Sequence, residues 1–179
     1  MKRGIESNVY IVTSLINMYA KCGRLEDARK AFDVMQVKNL VAWNAMIDGY
    51  AQNGHSISSL ALFEDMKGKN LDPDEITFSS ALKACCNADS TFSLGHLIHD
   101  DIIRHKCESN AFVCNGLIEM YGKSGSLKEA LNLFNRLVRP DNVSFGGLIA
   151  GYVQQGDSRN ALCVFERMLE HRDGWILEK

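Results

Sequence analysis

The sequence predicts an all-α fold, a right-handed superhelical α-solenoid of helix-turn-helix repeats, and three observations carry that prediction. The stretch MYAKCGRLEDARKAF at 18–32 returns as MYGKSGSLKEALNLF at 120–134, a displacement of 102 residues. DGYAQNG at 48–54 is matched in the same way by AGYVQQG at 150–156. The glycines closing these phrases, Gly23, Gly54, Gly125 and Gly156, are separated by 31, 71 and 31 residues. Repetition at such intervals marks stacked units, none of which can bury its apolar face alone.

Each element follows from the apolar spacing around those glycines. Before Gly23, Val12, Leu15, Ile16 and Tyr19 recur at three and four residues, and after it Leu25, Ala28, Phe32 and Met35 do the same. Trp43, Met46, Ile47 and Tyr50, then Leu60, Phe63 and Met66, form the second pair of helices. The 71-residue gap holds a third pair without the glycine: ITFSSALKACC, then a longer helix FSLGHLIHDDIIRH with Leu94, Leu97, Ile98 and Ile102 on one face. Leu117, Ile118 and Tyr121, then Leu127, Ala130, Phe134 and Leu137, make the fourth pair. Phe145, Leu148, Ile149 and Tyr152, then Leu162, Phe165 and Met168, make the fifth. Each glycine sits where a helix must stop and reverse, and Lys21 and Lys123 just ahead suit a helix C-terminus.

Asn8, Asn39, Asp74, Asn110 and Asp141 precede the first helix of each pair and are favoured N-caps. They set the expected organisation. Residues 1–8 are the tail of a preceding long repeat, 9–39 a short repeat, 40–74 a standard repeat and 75–110 a long repeat. Residues 111–141 are again short, 142–176 a degenerate final repeat, and 177–179 a tail. Units of 31, 35 and 36 residues account for the 102-residue displacement: the triplet has begun again. Neither end reads as a polar capping repeat, so the chain is expected to be a marginally stable piece of a longer array.

Composition narrows the function. The chain has 179 residues, a net charge of −2 and only two prolines, so helices run with few breakers and no bulk basic signal points to polyanions. No uncharged run is long enough for a membrane span, and MKRGIESN has no apolar core of a signal peptide. Six cysteines form no C-x-x-C; Cys85 and Cys86 are adjacent, which suits neither a disulfide nor tetrahedral zinc. They read as small reduced core residues.

The phrases TSLINMYAKCGRLEDARKAFDVM, AWNAMIDGYAQNG, ALFEDMKGKNLDPDEITFSSALKAC and CNGLIEMYGKSGSLKEALNLF resemble pentatricopeptide repeats of plant organelle proteins. The alternation of 31, 35 and 36 is similar to the PLS subclass, which mixes short, standard and long repeats. The resemblance covers nearly all of residues 1–172. It implies sequence-specific binding of single-stranded RNA, about one base per repeat. In that family one reader is a unit's fifth residue, the other its last, and the second residue packs on base faces.

Carried over, Thr13 with Asn39 implies adenine. Asn44 with Asp74, and Asn115 with Asp141, imply uracil. Ser79 with Asn110 belongs to a long repeat, a class that follows the code poorly, and Gly146 has no side chain to read with. The base-packing positions are Tyr10, Val41, Ile76, Phe112 and Val143; Lys21 and Lys123 match lysines near the RNA backbone. Their counterparts Gln52, Asn87 and Gln154 are uncharged, so phosphate attraction is expected to be weak. The expected register is 5′-A-U-N-U-3′, parallel to the protein. The resemblance further implies a mitochondrial or chloroplast address reader in RNA modification, such as C-to-U editing, with no cofactor. Its partners would be editing factors and a deaminase in cis or trans.

Plainer readings stand beside these. The unit-final Asn and Asp residues cap helices, the second-position residues suit a first-turn core, and the lysines suit a helix C-terminus. His96 and His99 share a helix face, but no further metal ligand is fixed by spacing. No nucleophile elbow, P-loop or dinucleotide fingerprint is present, nor the H-x-E with P-C-x-x-C of zinc deaminases, so no enzyme is expected in this chain. A tetratricopeptide-like protein scaffold, or a nonfunctional fragment of a longer protein of this kind, are the alternatives.

Overall fold

A computed structural model describes residues 9–87 and 92–176, with side chains omitted for Phe92 and beyond Glu170. Ten helices and no strands are found among the described residues. They are α1 (Val9–Lys21), α2 (Leu25–Asp33), α3 (Leu40–Gln52), α4 (Ser56–Gly68) and α5 (Glu75–Cys86). The series continues with α6 (Phe92–Arg104), α7 (Ala111–Lys123), α8 (Leu127–Arg136), α9 (Asn142–Gln154) and α10 (Ser158–Ile176). No described helix is long and apolar enough to cross a membrane. The chain divides into two compact units, one running to His105 and one starting at Lys106.

In the first unit, α1/α2, α3/α4 and α5/α6 are successive hairpins. Glycine builds the first two reversals. Gly23 and Gly54 take positive φ (73° and 76°), and the next backbone N–H bonds back across the helix end, Arg24 to the Tyr19 carbonyl and His55 to that of Tyr50. This is the Schellman closure, open to glycine because it lacks a Cβ. The odd-numbered helices then lie side by side, α3 against α1 and α5 against α3. Their approach is close. A Cβ on Gly49 would fall 2.8 Å from the Cβ of Ala20. The Asn53 Nδ2 group donates to the Ala20 carbonyl at 3.0 Å, and Asn87 Nδ2 to the Ala51 carbonyl at 2.8 Å, tying each hairpin to its predecessor. Between layers, Phe32 meets Trp43 edge-on at 4.9 Å and Phe63 meets Phe78 at 6.1 Å. Such pairs add roughly 0.5–1.5 kcal/mol beyond the area they bury. Lys67 of α4 reaches Asp101 of α6, which Arg104 also grips at 2.7 Å.

The second unit repeats the scheme with α7/α8 and α9/α10. Gly125 and Gly156 close α7 and α9 with φ of 84° and 75°. Gly122 and Gly151, each 102 positions beyond Ala20 and Gly49, bring α7 and α9 backbone to backbone: a Cβ on Gly151 would lie 2.7 Å from Gly122 Cα. Phe134 meets Phe145 edge-on at 4.9 Å, the same displacement beyond Phe32 and Trp43.

Two expectations need correction. Ile98 and Ile102 are buried, but Leu94 and Leu97 of the same predicted stripe are exposed, as are Leu162 and Phe165 of α10. An outer helix has core on one side only, so part of its stripe faces out. Cys85, Cys86 and Cys114 are buried, whereas Cys22 and Cys163 are exposed and are not core residues. Burial pushes the Cys85 thiol up to about 11, which keeps it protonated. Helix α6, expected to be longer, has 13 residues, more than α2 and α8 and as many as α4. The proposed cap at Asn8 lies outside the described residues.

Candidate nucleic-acid interface

Four of the predicted N-caps cap. Asn39 accepts from Ala42 N at 3.0 Å, and Asp74 from Thr77 N at 2.8 Å. Asn110 accepts from Phe112 N and Val113 N, and Asp141 from Val143 N and Ser144 N. Each cap satisfies otherwise unpaired N–H groups at the start of an odd-numbered helix. That fixes the first two turns of α3, α5, α7 and α9, where the remaining candidate residues sit.

The second-position residues point outward. Tyr10, Val41, Ile76, Phe112 and Val143 are 58–86% exposed. The first-turn core explanation therefore does not apply to them. Each odd-numbered helix offers an apolar side chain to solvent in its first turn, and in α3, α5, α7 and α9 it stands beside a capped N-terminus. Apolar atoms at these places have no folding reason to be apolar, and a flat ligand surface would give them one.

The fifth-position residues behave in the opposite way. Thr13, Asn44 and Asn115 are only 6–8% exposed, Ser79 is half-buried, and Gly146 lies in open space. What covers Asn44 and Asn115 includes the other predicted reader. The Asn44 Nδ2 group donates to Asp74 Oδ1 at 2.9 Å, although 30 residues separate them. Asn115 Nδ2 donates to both carboxylate oxygens of Asp141 at 3.1 Å. The two asparagine–aspartate pairs named from sequence are thus each brought together, one in each compact unit. In α3 and α7 the fifth residue points at the seam with the next hairpin, and the cap of that hairpin waits there.

Thr13 and Asn39 do not join. Asn39 turns its oxygen to its own helix, and the buried Thr13 hydroxyl has no hydrogen-bond partner. Ser79 and Asn110 belong to separate compact units. Lys21 is exposed, while Lys123 bridges to Glu119 at 2.8 Å. Asn87 is committed to the Ala51 carbonyl. Among the described residues no group of three His, Cys, Asp or Glu is placed to hold a metal ion.

Two residues of the site were not singled out by sequence. Thr77 and Ser144 complete capping boxes with Asp74 and Asp141: each donates its backbone N–H to the cap carboxylate and accepts the cap's backbone N–H on its hydroxyl. Their signal was legible as D-x-x-T and D-x-x-S ahead of an apolar run. Thr77 goes further: its hydroxyl also reaches Asn44 Oδ1 at 2.6 Å. Burial alone would push the Asp141 carboxyl up. The hydrogen bonds from Ser144, Asn115 and Val143 together outweigh it and hold the group below the usual aspartate value. An ionised Asp141 only accepts, and an amide N–H beside it only donates, so the pair presents donor and acceptor side by side.

Comparison with known proteins fits this arrangement. Residues 38–87 match the model of the PPR repeat family, and residues 3–36, 112–139 and 143–172 match PPR repeat models. A mitochondrial pentatricopeptide repeat-containing protein of Arabidopsis thaliana is 42% identical over 168 residues, which is 94% of this chain and 16% of that protein. A chloroplastic one from the same plant is 36% identical over 172 residues, 96% of this chain and 21% of that protein. The chain thus spans about a fifth of the length of these curated relatives. The fold is also that of solved structures. The crystal structure of maize PPR10 superposes with a TM-score of 0.74 at 23% identity, covering 91% of this chain and 24% of PPR10. PPR10 in complex with an 18-nt psaJ RNA element gives 0.72 at 25% identity, over 90% of this chain and 25% of that one.

Proposed function

This chain belongs to the PPR repeat family, and from that premise we propose that it binds single-stranded RNA and reads its sequence one base per repeat. The observation that carries the reading is the recurrence of one constellation: a capped helix start, an exposed apolar side chain, and an Asn–Asp pair at the seam, in both compact units. The apolar side chain offers a base a flat contact, and the polar pair offers its edge a donor beside an acceptor. Uracil presents the complementary edge, an N3–H beside a carbonyl; cytosine presents the reverse.

The finer reading follows the same residues. Asn44 with Asp74 and Asn115 with Asp141 select uracil, and Thr13 with Asn39 selects adenine. Ser79 with Asn110 is permissive, so the preferred register is 5′-A-U-N-U-3′. Tyr10, Val41, Ile76, Phe112 and Val143 pack on the bases, and Lys21 and Lys123 approach phosphates. Repeats of 31, 35 and 36 residues support membership of the PLS subclass. Relatives named mitochondrial and chloroplastic support action in an organelle, as the address-reading part of an RNA-modification system such as C-to-U editing. The deaminase and further editing factors would be supplied in cis or trans.

The test is binding of this chain, at low ionic strength, to a short RNA carrying A-U-N-U and to a scrambled RNA of equal composition. Tighter binding of the first is expected, with cytosine at either reading position weakening it by at least about threefold, the loss of roughly one hydrogen bond. Equal binding of the two RNAs would overturn the proposal.

A further inference from the structure

The two asparagine–aspartate pairs carry the same letters but are held differently. In the first unit Thr77, the third residue of α5, holds Asn44 from the far end of its amide. Its Oγ1 lies 2.6 Å from Asn44 Oδ1 and 2.8 Å from Asp74 Oδ1, so the hydroxyl proton serves both, while Oγ1 accepts the Asp74 N–H at 3.2 Å. Asn44 Nδ2 is meanwhile committed to Asp74 Oδ1. Both ends of the amide are therefore anchored. Flipping it would set Asn44 Oδ1 against the Asp74 carboxylate and turn Nδ2 toward Thr77. In the second unit the equivalent Ser144 gives its hydroxyl to the Asp141 carbonyl at 2.8 Å and accepts from Asp141 N at 2.8 Å. Among the described residues, Asn115 is gripped there through Nδ2.

We propose that Thr77 is a positioning residue for base discrimination, and that its hydroxyl makes the Asn44–Asp74 repeat more selective for uracil over cytosine than the Asn115–Asp141 repeat. The inference rests on the RNA-reading proposal and adds to it a residue from the following hairpin. The chemistry is polarity. With Oδ1 tied down by Thr77 and one Nδ2 proton by Asp74, the second Nδ2 proton is a fixed donor toward a carbonyl. Beside N3, uracil supplies that carbonyl as O4; cytosine has an amino group at the same place, which meets the amide's oxygen only if the amide turns over. An amide anchored at one end turns over more readily than one anchored at both. Serine lacks the β-methyl that restricts χ1 in threonine, which leaves the Ser144 hydroxyl other partners.

The experiment uses the whole chain and RNAs with uracil or cytosine at one of two positions, facing Asn44–Asp74 or facing Asn115–Asp141. The U-to-C affinity ratio is expected to be about threefold to tenfold larger at the first position, the range set by one neutral hydrogen bond. Thr77→Ser keeps the cap and a hydroxyl, and Thr77→Val removes the hydroxyl. Both should lower the first ratio to that of the second position or below and leave the second ratio unchanged. Thermal midpoints separate this from unfolding, and Thr77→Ser should melt close to the parent. Equal ratios at the two positions in the parent chain would overturn the role of Thr77 while RNA reading stands. So would either variant retaining the parent ratio at the first position, or a parallel fall at both positions. No preference for uracil at either position would overturn both proposals together.

Discussion

At Asp141 a single carboxylate accepts from two backbone N–H groups at the start of α9 and from the amide of Asn115. Its acidity records that. The folded-state value lies below the ordinary 3.8, so the ionised form is the one folding favours. The resulting stabilisation is full above the unfolded-state value and is lost as pH falls through the folded one. Asp141→Asn keeps an acceptor for the cap but has no proton to take up. Acid titration of the melting midpoint between pH 5 and about pH 2 should therefore fall less steeply for Asp141→Asn than for the parent. Equal slopes would show that Asp141 contributes nothing to acid sensitivity. Residues such as this were legible in sequence, because Asn and Asp ahead of a helical apolar run announce a cap. That the same carboxylates would also grip Asn44 and Asn115 was not: capping is local, whereas those contacts join residues 30 and 26 positions apart. Nor did sequence show the burial of Thr13, Asn44 and Asn115, which depends on where the next hairpin lands.

Among the elements, the helix ends show how backbone conformation governs the hairpins. Gly54 closes α3 at a φ of 76° with nothing within 4 Å of a would-be Cβ, whereas Gly68 ends α4 with equally open surroundings and no positive φ. The two glycines separate conformation from crowding. Gly54→Ala should lower stability by about 1–2 kcal/mol, the strain of a side chain in the left-handed region. Gly68→Ala should raise it by about 0.4–1 kcal/mol by restricting the unfolded chain. Urea denaturation of both variants measures this, and a neutral Gly54→Ala would show that the Schellman closure is relaxed by alanine. The existence of paired helices was readable from spacing, since 3.6-residue periodicity survives any change of neighbours. The exposure of Leu94, Leu97, Leu162 and Phe165 was not, because periodicity marks an apolar stripe without saying how much of it another helix covers. Lys106, at a φ of 58° beyond α6, is a second case: an L-residue in the left-handed region leaves no trace in composition.

For the whole molecule, a net charge of −2 bears on the balance of forces in the proposed RNA binding. With Lys21 and Lys123 as the proposed phosphate contacts, about two counterions are released. A plot of log affinity against log salt should have a slope of about −1 to −2. A much steeper slope would mean that backbone attraction dominates base reading. The Asn44–Asp74–Thr77 cluster also bears on how such arrays diversify. Its three members come from two neighbouring hairpins, with Asp74 and Thr77 framing the start of α5. Cutting the gene between codons 74 and 75 would keep the asparagine and aspartate together yet leave the threonine behind. On the proposed reading, a cassette exchanged at that boundary would carry its letter intact but borrow its fidelity from whichever module it was spliced onto. Recombination could thus retune an inherited address without altering either residue that spells it.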